Sequence, residues 1–202
     1  MGIDLGALIV PFFTIAGTIF IAELTDKDAL LLLALATRIR PRIAFAAGAT
    51  AFTITSAIIV TVGYFLIRIV PVLWIRIVGG FVIIAFAVWQ YASTKEEAVE
   101  EKKLLERTKR SSVWSVFLGA VSMLILLDLA GDATEVLTIV YVARFSNTLL
   151  VFFGAVLALV AASAIETILG SRLKKYLSPK RLRVLSLLVF LVLGSYIILT
   201  SL

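Results

Sequence analysis

The chain has 202 residues, of which 61% are hydrophobic, with a net charge of +6 and a mean hydropathy of +1.11. It contains neither cysteine nor histidine, which excludes disulfides, thiolate metal centres, cysteine nucleophiles and imidazole chemistry. The apolar residues form long runs without strand-like alternation, which excludes a soluble domain and a β-barrel and predicts an all-α membrane protein.

Six transmembrane helices are predicted, at 6–37, 43–67, 71–93, 112–143, 148–170 and 182–201. The opening MGIDLGALIV lacks a basic n-region and an A-x-A cleavage site, so it reads as the start of the first span. Arg38, Arg40, Pro41 and Arg42 close that span, and Arg68 and Pro71 separate the second from the third. The segment KEEAVEEKKLLERTKR, 95–110, carries charges at i, i+4 spacing, such as Glu106 and Arg110, and reads as a solvated helical connector. Residues 144–147 end the fourth span, and RLKKYLSPKR, 172–181, separates the last two. The organisation is thus 1–94, a charged linker at 95–111, and 112–202.

Fifteen of the 19 Lys and Arg residues fall in the first, third and fifth loops, and only three in the second and fourth. The basic loops are therefore expected in the cytoplasm, with both termini extracytoplasmic and the protein a multi-pass component of the plasma (inner) membrane. The same distribution explains the positive charge without nucleic acid.

A shift of 106 residues places Asp26 on Asp132, Arg38 on Arg144 and Gly48 on Gly154. Each half holds three spans. An odd number means that the halves enter the membrane in opposite senses, which predicts two inverted three-helix repeats, an architecture of secondary transporters.

Each half also carries acids inside its first span. AELTDKDALLLLALATR contributes Glu23 and Asp26 at i, i+3, with Lys27 and Asp28 beside them. LLDLAGDATEV contributes Asp128, Asp132 and Glu135 at i, i+4 and i+7, one helical face. The inverted repeat is expected to bring the clusters together near the midplane. Spans one and four run to about 32 residues, whereas about 20 suffice to cross. A break at Thr25 and at Gly131–Thr134 would absorb the excess and add backbone carbonyls as ligands.

An acid at a helix centre costs about 2.5–3.5 kcal/mol. Protonation removes that charge, and a divalent cation neutralises it. A site alternating between the two states is a cation/proton exchanger. Its metal is expected to be a hard ion held by oxygen, because the chain offers no nitrogen or sulfur ligands of the usual kind. Glu23, Asp26, Asp128, Asp132 and Glu135 are the expected ligands and proton carriers, with Glu166 on a proton path or at the interface. Asp26 and Asp132 could instead form a structural polar contact.

At these residues the chain resembles uncharacterised protein family 0016, the calcium/cation antiporter-2 family that includes transmembrane protein 165. ELTDKD is similar to its motif E-x-G-D-K/R-S/T, and GDAT, Gly131 to Thr134, to the second copy. Glu23, Asp26 and Lys27 match the first motif, with Thr25 in place of its glycine and Asp28 in place of its hydroxyl residue. Gly131, Asp132 and Thr134 match the second, with Leu129 in place of its glutamate and Ala133 in place of its basic residue. The resemblance implies exchange of Mn2+ or Ca2+ for protons, with no resident cofactor. Expected partners are those ions and the lipid bilayer, with a homo-oligomer left open. A carrier of a cationic organic solute and a passive divalent-cation channel are the alternatives. An enzyme is not expected.

Thr53, Thr55, Ser56 and Ser163 read as interhelical hydrogen-bonding groups, and Gly79, Gly80 and Gly194 as points of close helix approach. Trp74, Trp89, Tyr91 and Trp114, near span ends, read as interface anchors.

Overall fold

The computed structural model describes residues 5–37, 39–92, 113–129, 131–145, 147–173 and 179–202. The expected connector at 95–111 lies outside them, as do the side chains of Lys27 and Asp28. The described residues form helices α1 (Leu5–Thr25), α2 (Lys27–Ala36), α3 (Pro41–Ile69), α4 (Val72–Ala92), α5 (Val113–Leu129), α6 (Ala133–Arg144), α7 (Thr148–Leu173) and α8 (Pro179–Leu199), with no strand among them.

Local chemistry fixes several boundaries. Pro41 opens α3, where its missing N–H would have no intrahelical partner in any case. Pro71 ends the same helix by driving Val70 into an extended conformation, φ −111° and ψ 131°. Four helices are long and apolar enough to cross a membrane: Leu8–Thr25, Pro41–Ile69, Val72–Ala92 and Thr148–Ile168. α5 and α6 pass the same test together as one bent span, and Val184–Leu199 is a shorter apolar helix.

Large apolar side chains such as Phe52 and Phe190 fill the core, many others face outward, and small residues line several helix contacts. Phe13, Phe65, Trp114 and Leu126 are exposed, a surface suited to lipid. Ala44, Ala47 and Ala51 of α3, and Ala155, Ala158 and Ala162 of α7, are buried. In lipid, helices associate through such small residues, because tight packing replaces the missing hydrophobic drive. Much of the packing is reciprocal between the halves, although α4 also lies on α6 whereas α8 lies on α1. α1 lies on α7 and α5 on α3; α2 lies on α7 and α6 on α3; α3 meets α7 and α4 meets α8.

Glycines set the closest approaches. A Cβ on Gly80 would lie 2.9 Å from the Gly194 carbonyl oxygen, and one on Gly194 2.7 Å from the Gly80 carbonyl oxygen. α4 and α8 therefore meet backbone to backbone. Gly48 receives Leu32, and Gly154, its counterpart in the other half, receives Ile15.

These contacts generate a prediction. Gly80→Ala and Gly194→Ala should each destabilise the fold by about 1–3 kcal/mol through overpacking. Gly119→Ala, where a Cβ meets nothing within 4 Å, should be neutral or stabilising. Thermal unfolding in one detergent compares the three.

Candidate functional site

Both acidic motifs interrupt a helix. α1 stops at Thr25 and α2 starts at Lys27, which leaves Asp26 between them. α5 stops at Leu129 and α6 starts at Ala133, with Asp132 as its N-cap. The shift that aligns the two aspartates thus also aligns the two helix starts.

The second break is the sharper. α5 and α6 are bent by 65°, and Gly131 takes φ +105°, a conformation that residues with a side chain rarely adopt. Its N–H still reaches the Asp128 carbonyl at 3.3 Å. At the first break the Asp26 N–H bonds the Glu23 carbonyl at 3.0 Å. Thr25 Oγ1 donates to the Ala22 carbonyl at 2.8 Å, and Ser186 of α8 donates to the Thr25 carbonyl. No positive φ occurs there, so threonine in place of the motif's glycine meets no backbone penalty.

Asp26 and Asp132 are both 2% exposed and line one cavity of about 10 Å³ with Phe86, Trp89, Gln90 and Ala133. Gln90 Nε2 donates to Asp26 Oδ1 at 2.6 Å. Asp132 Oδ1 accepts the Ala133 N–H, while Asp132 Oδ2 is buried without a hydrogen-bond partner among the described residues. Each aspartate sits just before a half-helix, where open N–H groups and the helix dipole favour negative charge. Two half-helix starts and two carboxylates therefore face one small space.

Asp128 and Glu135 line a different cavity, of about 10 Å³, with Thr55, Ser56, Thr134 and Thr138. Glu23 and Glu166 are buried and line neither. Glu166 is 2% exposed, so packing does not leave it as a solvent-facing residue at a span end. Among the described residues, no three carboxylates lie close enough to hold one ion. The five expected ligands are thus distributed: one pair in each cavity, and Glu23 apart. Lys27 and Asp28 belong to α2 by backbone, and their side chains are outside the described residues.

Sequence reasoning passed over Gln90, the chain's single glutamine, although an amide inside FVIIAFAVWQYA was a signal. It also passed over Ser186, whose partner is a backbone carbonyl 161 residues away. Trp89, expected as an interface anchor, is exposed on one side and lines the Asp26–Asp132 cavity.

The sequence pattern of the family "Divalent cation/proton antiporter GDT1" matches residues 11–98 and 116–202. The chain belongs to this family. Each matched stretch holds one acidic motif and one helix break, and together they leave out little beyond the first residues and the connector region. GDT1 is a transporter family and not an enzyme family, and the apolar helices make this member an integral membrane protein. No curated protein and no solved structure matches the chain.

The φ of Gly131 sets a test of the second break. Gly131→Ala should cost about 1–3 kcal/mol of stability through backbone strain, read as a lowered melting temperature. Gly119→Ala, where a Cβ meets nothing within 4 Å and the backbone is helical, should not reproduce it.

Proposed function

We propose that the protein exchanges Mn2+ or Ca2+ for protons at the cavity between Asp26 and Asp132. The observation that carries this reading is that two aspartates from opposite halves, each at a helix break, line one buried space. Two carboxylates balance a divalent cation, and two protons balance the same carboxylates when the cation leaves. Gln90 holds Asp26 in place through its amide N–H, while Asp132 Oδ2 offers an oxygen with no competing hydrogen bond. Water and backbone carbonyls at the breaks complete an oxygen shell, which suits both ions.

A cavity of about 10 Å³, room for about one water, is far smaller than the 300–1,000 Å³ typical of drug-sized ligand sites, which favours an ion over an organic cation. The reciprocal packing of α1 on α7 and α5 on α3 supports two inverted halves that rock about the site. Fifteen cationic side chains in alternate loops support termini outside the cytoplasm. In this orientation inward proton flow drives cation export across the plasma membrane. Glu23 and Glu166, buried on α1 and α7, are candidates for the proton's route.

The reading is tested in proteoliposomes with an imposed pH gradient. Wild type should accumulate Mn2+ or Ca2+ against the proton flow, and collapse of the gradient with an ionophore should stop it. Asp26→Asn and Asp132→Asn should each abolish exchange while the protein remains folded. Undiminished exchange in both variants would refute the site, and flux indifferent to the gradient would indicate a channel.

A further inference from the structure

We propose that the cavity between α3, α5, α6 and α7 is a second, separate binding site for a divalent cation. It is walled by Thr55, Ser56, Asp128, Thr134, Glu135 and Thr138. The pair Asp128 and Glu135 supplies two negative charges, and the hydroxyls supply neutral oxygen. This is a donor set for a hard cation.

Ser56 carries the argument. It is 4% exposed, it lines the cavity, and its Oγ is buried without a hydrogen-bond partner among the described residues. A buried hydroxyl left without a partner is costly and calls for an occupant. The neighbouring hydroxyls are spent differently. Thr138 Oγ1 donates to the Thr134 carbonyl at 2.8 Å, and Thr55 Oγ1 to the Phe52 carbonyl at 3.3 Å. Each has given its proton to backbone and retains lone pairs on oxygen, the arrangement a cation needs from a hydroxyl.

The other half of the chain shows that the fold does not require these groups. Under the shift of 106 residues, Asp128 corresponds to Ala22, Glu135 to Ala29, Thr138 to Leu32 and Ser56 to Ala162. All four counterparts are buried apolar residues. The same helix geometry therefore closes with alanine and leucine on one side and with acids and hydroxyls on the other. At these four positions the polar groups serve something other than packing.

The inference rests on the chain being a divalent-cation carrier, but not on the assignment of Asp26 and Asp132. Mn2+ binding to the purified full chain in nanodiscs, counted by the spectrum of free Mn2+ in paramagnetic resonance, tests it. Wild type should bind two ions. The double variant Asp128→Asn, Glu135→Gln should bind one, and Asp26→Asn should lose the other. Ser56→Ala should keep two ions with one held about tenfold more weakly, and Ser56→Thr, which keeps the oxygen, should restore it.

A single ion in wild type, or two ions in the double variant, would overturn the proposal. If the double variant fails to fold, equal affinities in wild type, Ser56→Ala and Ser56→Thr would overturn it instead. One ion, removed by Asp26→Asn and untouched by the double variant, leaves the exchange site standing without this one. The converse pattern leaves this site and removes the other.

Discussion

A helix that breaks inside an apolar bundle leaves carbonyls open at its end and N–H groups open at the start of the next helix, where no solvent can satisfy them. This protein breaks a helix twice in that setting, and both times an aspartate stands immediately before the helix that follows. At Asp132 the carboxylate caps the new helix directly. At Asp26 it stands before α2 and takes the Gln90 amide. Each aspartate also brings a buried carboxylate with it, and the two share one cavity. The proposed exchange uses that pairing, since one doubly positive ion or two protons would balance both carboxylates.

The two breaks reach this result by different chemistry. Gly131 turns the chain through a positive φ, and α5 and α6 diverge by 65°. Thr25 stays in the ordinary backbone range and is held through its hydroxyl, with Ser186 on its free carbonyl. One break is built by conformational freedom and the other by side-chain hydrogen bonds. A further bond, between the Thr18 and Tyr141 hydroxyls at 2.6 Å, ties α1 to α6 across the halves.

The helices, their limits and the interruption at each acidic motif were legible in the sequence because each has a local cause: Pro41, Pro71, Gly131, and runs too long for one crossing. Glycine contacts at Gly80 and Gly194 were legible for the same reason. The sorting of the acids was not. Asp128, Asp132 and Glu135 share a face on an unbroken helix, yet Gly131 turns the chain between the first and the second. Asp132 then faces Asp26, while Asp128 and Glu135 meet hydroxyls of α3. Spacing counted along the sequence loses its meaning across a residue with φ +105°. Gln90 and Ser186 were hidden for another reason, since their partners lie 64 and 161 residues away along the chain and no local pattern announces them.

The seam at Gly80 and Gly194 bears on how such a molecule can work. Most helix pairs meet through interdigitated side chains, which can slip by a rotamer at a time. α4 and α8 meet main chain to main chain, and that joint has no compliant layer to shear. Under the proposed rocking of the halves, this contact would act as an axle, so that a small angle here becomes a larger opening at the ends of the lever arms.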